Sequence, residues 1–320
     1  MKRIAIPERV VPLAEGLFWI ALASCYFLFP DKLNLFAQIL ITGLFAVSLD
    51  MALGYAGILT VGHAVFFGVG AYCAGLLSEY GWGEPVTGAV IATLVCAAFG
   101  YALSPLIVRG ADLTRLMITI AVCVLFTELA NQWTSVTGGS DGMQGVEIGR
   151  ILGLFGFDLY GKAAFIYAFV MVLLSFLAIR LILASPFGLV LRGIHDNRKR
   201  MLAIGSPVNA RLRMAYALSA AFAGTAGALL TQVTQFVGLQ TISFDKSAEV
   251  LIILVLGGTG RLYGGMIGAI IYMLLHDTFS SLSPEYWMFW LGIFLIAVVM
   301  VGRGGILGGL AKLFRVEAAR

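Results

Sequence analysis

The sequence predicts an all-α protein, a polytopic transmembrane helix bundle of about ten spans with glycine-broken helices. Three observations carry that prediction. Of 320 residues, 60% are hydrophobic and 12% charged, and the charged share is about half that of a typical soluble domain. Apolar runs of around twenty residues recur along the chain, the length a helix needs to cross a ~30 Å hydrocarbon core while satisfying its own backbone. Glycine, present 39 times, gathers in two otherwise apolar stretches.

Ten segments have the required character, near residues 12–30, 34–54, 62–78, 86–108, 113–133, 162–184, 214–236, 246–257, 264–282 and 286–302. The first follows a basic amino terminus, as a signal peptide would, yet it has no clear small-residue cleavage site and is long enough to span, so it reads as a retained helix. With that terminus in the cytoplasm, ten spans place seventeen of the 21 Lys and Arg residues inside and leave Lys32, Arg150, Lys162 and Lys246 outside. Such sorting is the positive-inside pattern, and it puts both termini in the cytoplasm. The four cysteines, Cys25, Cys73, Cys96 and Cys123, each lie in an apolar span and read as buried thiols. No metal-ligand spacing occurs, and the scattered basic residues give no nucleic-acid face. Residues 1–320 read as a single transmembrane domain, with an external loop at 134–161 and a cytoplasmic loop at 185–213.

The glycine-rich stretches are "LGYAGILTVGHAVFFGVGAY" at 53–72 and "LGGTGRLYGGMIGA" at 256–269. Gly54, Gly57, Gly62, Gly257, Gly258 and Gly260 lower helix propensity there, and a broken helix is tolerated at depth only where protein or a water-filled cavity surrounds it. Polar groups inside spans mark a translocation path, and Asp50, His63, Glu128, Asn131 and Gln132 are the candidates, with Gln232, Gln235, Glu249, His276 and Asp277 nearer to the ends of spans. Glu128, Asn131 and Gln132 fall on one helix face, at i, i+3 and i+4, serving either interhelical hydrogen bonding or a hydrophilic path. His63 adjoins the first break, where capping competes with substrate contact. Rows of small residues at Ser219, Ala223 and Gly227 and at Ala220, Gly224 and Ala228 allow close helix approach. "GFDLYGKA", at 156–163, imitates a phosphate-binding loop but ends in alanine where magnesium needs a hydroxyl. The chain therefore carries no catalytic site and no cofactor of its own.

The loop "SPFGLVLRGIHDNRKRMLAIGSPVNARLRM", at 185–214, concentrates charge in an apolar chain. Ser185-Pro186 stops the preceding span, and "HDNRKRMLAIG" reads as a short amphipathic helix ended by Gly205 and Pro207. Such a helix fits either a lipid surface or a groove on a partner protein. This loop, the stretch at 53–72, "TGGSDGM" at 137–143 and "EVLIILVLGGTGRLYGGMIGA" at 249–269 together resemble the permease subunits of branched-chain amino-acid ABC importers, the LivM-type family. The resemblance runs from about 34 to 302, with the motifs in the same order.

That resemblance implies a permease subunit moving branched-chain or related small amino acids across a bacterial inner membrane by alternating access. It implies as partners a second permease subunit in a heterodimer, two cytoplasmic subunits that bind ATP and magnesium, and a periplasmic substrate-binding protein. The loop would be the coupling element to the ATPase. Asp196, Asn197, Ala203 and Gly205 match the family's loop pattern. Arg198, Arg200 and Leu202 depart from it, since the family commonly has glutamate or alanine there, and the basic helix predicts an acidic groove on the partner. The alternatives are an ion-coupled secondary transporter using Asp50 and Glu128, and the same ABC architecture serving urea, amides or aromatic-acid derivatives.

Overall fold

A computed structural model describes residues 10–108, 110, 112–146, 148–150, 156 and 161–301. Among them the regular elements are helices: α1 (Val10–Leu28), α2 (Leu33–Asp50), α3 (Ala64–Glu79), α4 (Pro85–Val108), α5 (Asp112–Gln132), a single turn α6 (Thr134–Thr137), α7 (Lys162–Ala184), α8 (Pro186–Asp196), α9 (Arg198–Ala203), α10 (Val208–Thr234), α11 (Phe244–Gly257), α12 (Leu262–Leu282) and α13 (Trp287–Val301). The terminal basic residues used in the charge sorting, together with Arg109 and residues 157–160, lie outside the described residues.

Each of the ten apolar segments falls on a helix, and six of those helices are long and apolar enough to cross a membrane. α1, α3 and α13 contribute shorter apolar stretches. α11 has 14 residues, which at ~1.5 Å per residue is about 21 Å, too short to cross unaided. Its first half carries Asp245, Lys246 and Glu249, so its apolar part is shorter still.

Burial ranks the spans. The most apolar windows of α2 and α10 are 83% and 78% buried, against 28% and 22% in α4 and α5. α2 and α10 therefore form the centre, with α10 packed on α3 and α4, and α2 on α7 and α12. α5 leaves Leu113, Met117, Val124 and Leu125 exposed, an apolar wall suited to lipid or another subunit.

Small residues make the central packing possible. A side chain at Gly227 would strike the backbone oxygen of Phe67 on α3, and backbone cannot rotate out of the way. Gly227→Leu should therefore destabilise the bundle by about 1–3 kcal/mol or more, read as a lower unfolding midpoint in detergent. Gly292→Ala on α13, where a methyl meets nothing within 4 Å, should leave the midpoint unchanged.

Two irregular segments interrupt the bundle. α2 ends in a π-helical turn, Met51–Tyr55, and residues 56–63 are non-helical before α3 begins. Gly54 sits in that turn, and Gly57 and Gly62 in the non-helical segment. The second interruption is the turn between α11 and α12, where Gly257 is the last helical residue and Gly258 and Gly260 have φ of +106° and +72°. At the far end of the bundle, "TGGSDGM" turns back so that Met143 and Val237 exchange two backbone hydrogen bonds of 2.8 and 3.1 Å.

Candidate functional site

The charged segment at 185–213 is two helices. α8 starts with Pro186 in its first turn, where proline is pre-organised. It is amphipathic, burying Leu191 and Ile194. The single helix expected over 195–205 is split at Asn197, whose backbone is extended (φ −158°, ψ 95°) and whose side chain accepts from Arg200 N at 2.9 Å. Asparagine competes for backbone donors, so it ends α8 after Asp196 and caps α9. Arg198 donates to Asn209 Oδ1 at 2.9 Å, tying α9 to the start of α10. Arg200, Leu202, Ala203, Ile204 and Gly205 remain exposed, with Leu202 and Ile204 at 54% and 70%. Gly205, at φ +81°, makes the turn that follows.

α8 rests on the end of α2. Arg192 places its guanidinium 5.0 Å from the centre of the Tyr55 ring, a cation–π contact. Beside it, Gly57 has φ +69°, and a methyl there would lie 2.8 Å from His195 Nδ1. One turn deeper, Asp50 is buried and its Oδ1 accepts from Gly260 N at 2.7 Å, closing the α11–α12 turn onto α2. Gly54 leaves the space that this contact needs: a Cβ there would collide with both Asp50 Oδ1 and Gly260 N. α8, the π-turn and the α11–α12 turn thus meet at one junction.

His63 packs within the same region. Its ring stacks on Phe45, with centroids 5.6 Å apart, and its Nε2 lies 3.0 Å from Ser48 Oγ. Ser48 Oγ donates to Phe45 O at 2.7 Å, which assigns the proton of the second bond to Nε2. Ala64 N donates to Ser247 Oγ at 2.9 Å, fastening the start of α3 to α11.

At the other end of α10 lies a cavity of about 580 Å³, lined by side chains of α2, α10, α11, α12 and α13 and by the 236–243 turn. α9 contacts α10 near its start, and the cavity meets Leu230 and Thr234 near its finish. Most of the 27-residue α10 separates them, so the two features lie roughly 32–38 Å apart along its axis at ~1.5 Å per residue. Lys246 and Glu249 form a 2.8 Å ion pair in the cavity wall. Asp50, His63, Glu128, Asn131 and Gln132 do not line it. Glu128 and Gln132 instead bond to each other along α5, at 2.8 Å. Of the cavity's charged pair, Glu249 stands out in sequence as a polar group near the end of a span, whereas Lys246 counts only as one outside lysine, and nothing in sequence pairs the two at a cavity. The signal that could have found them is the charge density in the first half of α11.

Residues 32–299 match the family of branched-chain amino acid transport system permease components. The chain belongs to this permease family. It is a multi-pass membrane transport subunit. The high-affinity branched-chain amino acid transport system permease protein LivM of Salmonella typhimurium is 26% identical over 96% of this chain and 80% of its own length. The corresponding LivH of Escherichia coli is 24% identical over 83% of this chain and 90% of its own. The ribose import permease protein RbsC of Bacillus subtilis is 27% identical over 85% and 84%. No solved structure matches the permease. All four resemblance motifs lie within or at the edge of the described bundle: two form the junction with α8, and "TGGSDGM" braces the opposite end.

Proposed function

We propose that this permease is one of two membrane subunits of an ATP-driven importer for branched-chain amino acids in a bacterial inner membrane. The second is a LivH-like permease, ATP is hydrolysed by two cytoplasmic subunits, and a periplasmic binding protein delivers the substrate. All ten apolar helices take part in crossing the membrane, α3 and α11 doing so in combination with the irregular segments beside them, and both termini are cytoplasmic. α8 and α9 then face the cytoplasm, the cavity faces outward, and the two glycine-lined interruptions lie within the membrane.

The observation that carries this reading is the junction itself. The exposed face of α9 is built for a partner, and α8 bears through Arg192 and His195 on Tyr55 and Gly57, one turn from the Asp50–Gly260 bond. A push on α9 is therefore delivered to α2, α11 and α12, three of the helices that line the cavity. Asp196, Asn197 and Gly205 set the shape of the lever. Arg200 and Leu202 supply its charged and apolar contact, and Ala203 keeps the surface between them low. Alternating access follows if ATP-driven closure of the partner tilts these helices.

The test is to purify the importer by a tag on this chain carrying Arg200→Glu and Leu202→Asp. Arg198 is left alone because it holds Asn209. Recovery of the ATP-binding subunits should fall about tenfold or more, since a reversed charge and a buried carboxylate each weaken an interface by more than ~1.4 kcal/mol. Undiminished recovery with undiminished uptake would overturn the docking role. The likeness to the ribose permease favours a second reading, in which the same frame passes another small solute. Ligand binding by the partner binding protein separates the two.

A further inference from the structure

The cavity's volume, about 580 Å³, lies within the ~300–1,000 Å³ typical of small-molecule sites. Its lining has two parts. Leu230, Phe236, Trp287 and Met288 supply an apolar portion, the Lys246–Glu249 pair supplies one charge of each sign, and the exposed Asp245 adds a further carboxylate outside the pair. Both side chains of the pair are 24% exposed, so neither is sealed into the protein and neither is free in solvent.

We propose that this cavity is a transient binding station for an aliphatic α-amino acid zwitterion, an inference that rests on the importer reading above. Lys246 receives the ligand carboxylate and Glu249 its ammonium group, while the apolar portion takes the side chain. The ligand is neutral overall and carries its own opposed charges, so it can exchange with the protein's ion pair without leaving any charge unpaired. A partly exposed ion pair contributes only about 0–1 kcal/mol. Opening it therefore opposes binding little, and its closure behind the departing ligand favours release. Weak binding suits a relay that must hand its cargo on. A sugar offers no charge to either group, and a lone cation or anion would satisfy only one of them.

The assembled importer, two permeases with two ATP-binding subunits, tests this. The four native cysteines are replaced by alanine, and Gln240→Cys places one exposed thiol at the cavity wall. Leucine should slow reaction of that thiol with a membrane-impermeant thiol reagent by about threefold at twice its dissociation constant, and ribose should not. Glu249→Gln and Lys246→Met should each remove the protection while leaving the unprotected rate and the unfolding midpoint unchanged. Absence of protection in an importer that takes up leucine would overturn the station and leave the importer reading standing, as would protection that survives both substitutions. An importer that takes up no branched-chain amino acid would overturn the functional reading, and the station would fall with it.

Discussion

Asp50→Ala should leave the assembled importer able to hydrolyse ATP while leucine uptake falls by about 5- to 150-fold, the span set by ~1–3 kcal/mol for a buried donor left without its acceptor. The orphaned group is Gly260 N–H, which donates to Asp50 Oδ1 at 2.7 Å. Without that bond the α11–α12 turn is held to α2 less tightly, so movement of α8 is passed to α12 less completely. Asp50→Asn retains an amide oxygen at the same place and should keep uptake near the wild-type level. The pair also separates this account from an ion-coupled transporter. There Asp50 would have to carry charge, and the asparagine variant would fail as badly as the alanine one. Proteoliposome uptake measured alongside phosphate release distinguishes the outcomes.

Gly57→Ala should have a comparable effect by a different route. Its φ of +69° belongs to the left-handed region, where an L side chain adds roughly 1–2 kcal/mol. The new methyl would also lie 2.8 Å from His195 Nδ1, closer than any relaxed contact. The second effect acts on α8, which must turn its exposed His195 ring aside or lift from the π-turn with its Arg192–Tyr55 contact. We expect uptake to fall several-fold, with ATP hydrolysis less tightly linked to it. Adding His195→Ala removes the collision and leaves the backbone strain, so uptake should recover in part. No recovery would assign the whole defect to the backbone and would count against α8 as the transmitting element.

Much of the fold was legible because lipid imposes a simple rule. A run such as "FIYAFVMVLLSFLAIRLILA" has no soluble alternative, and α7 occupies it. Local turn chemistry was equally readable at "TGGSDGM" and at Ser185-Pro186. What escaped prediction depends on competition or on distance. Asn197 splits the charged segment because its side chain reaches the amide of Arg200, a local contest that apolar periodicity does not register. α11 keeps the short span expected at 246–257, capped by Ser243 and ended before Gly258, but that the 236–243 turn brings its charged first half to the wall of a cavity depends on the chain's path through space. The junction joins Asp50 to Gly260, 210 residues apart, and the cavity takes its wall from five helices. Sequence marks Asp50 as an unusual group in a span but does not say that its partner is a backbone amide.

The central claim is that α9 is a cytoplasmic surface covered by an ATP-binding partner. Leu202→Cys or Ile204→Cys, in a background where the four native cysteines are alanine, places one thiol on the exposed side of α9. The account predicts that a membrane-impermeant maleimide labels this thiol in inverted vesicles but not in intact spheroplasts, and that co-assembly with the ATP-binding subunits blocks the labelling. Labelling from the outside, or equal labelling with and without those subunits, would contradict it.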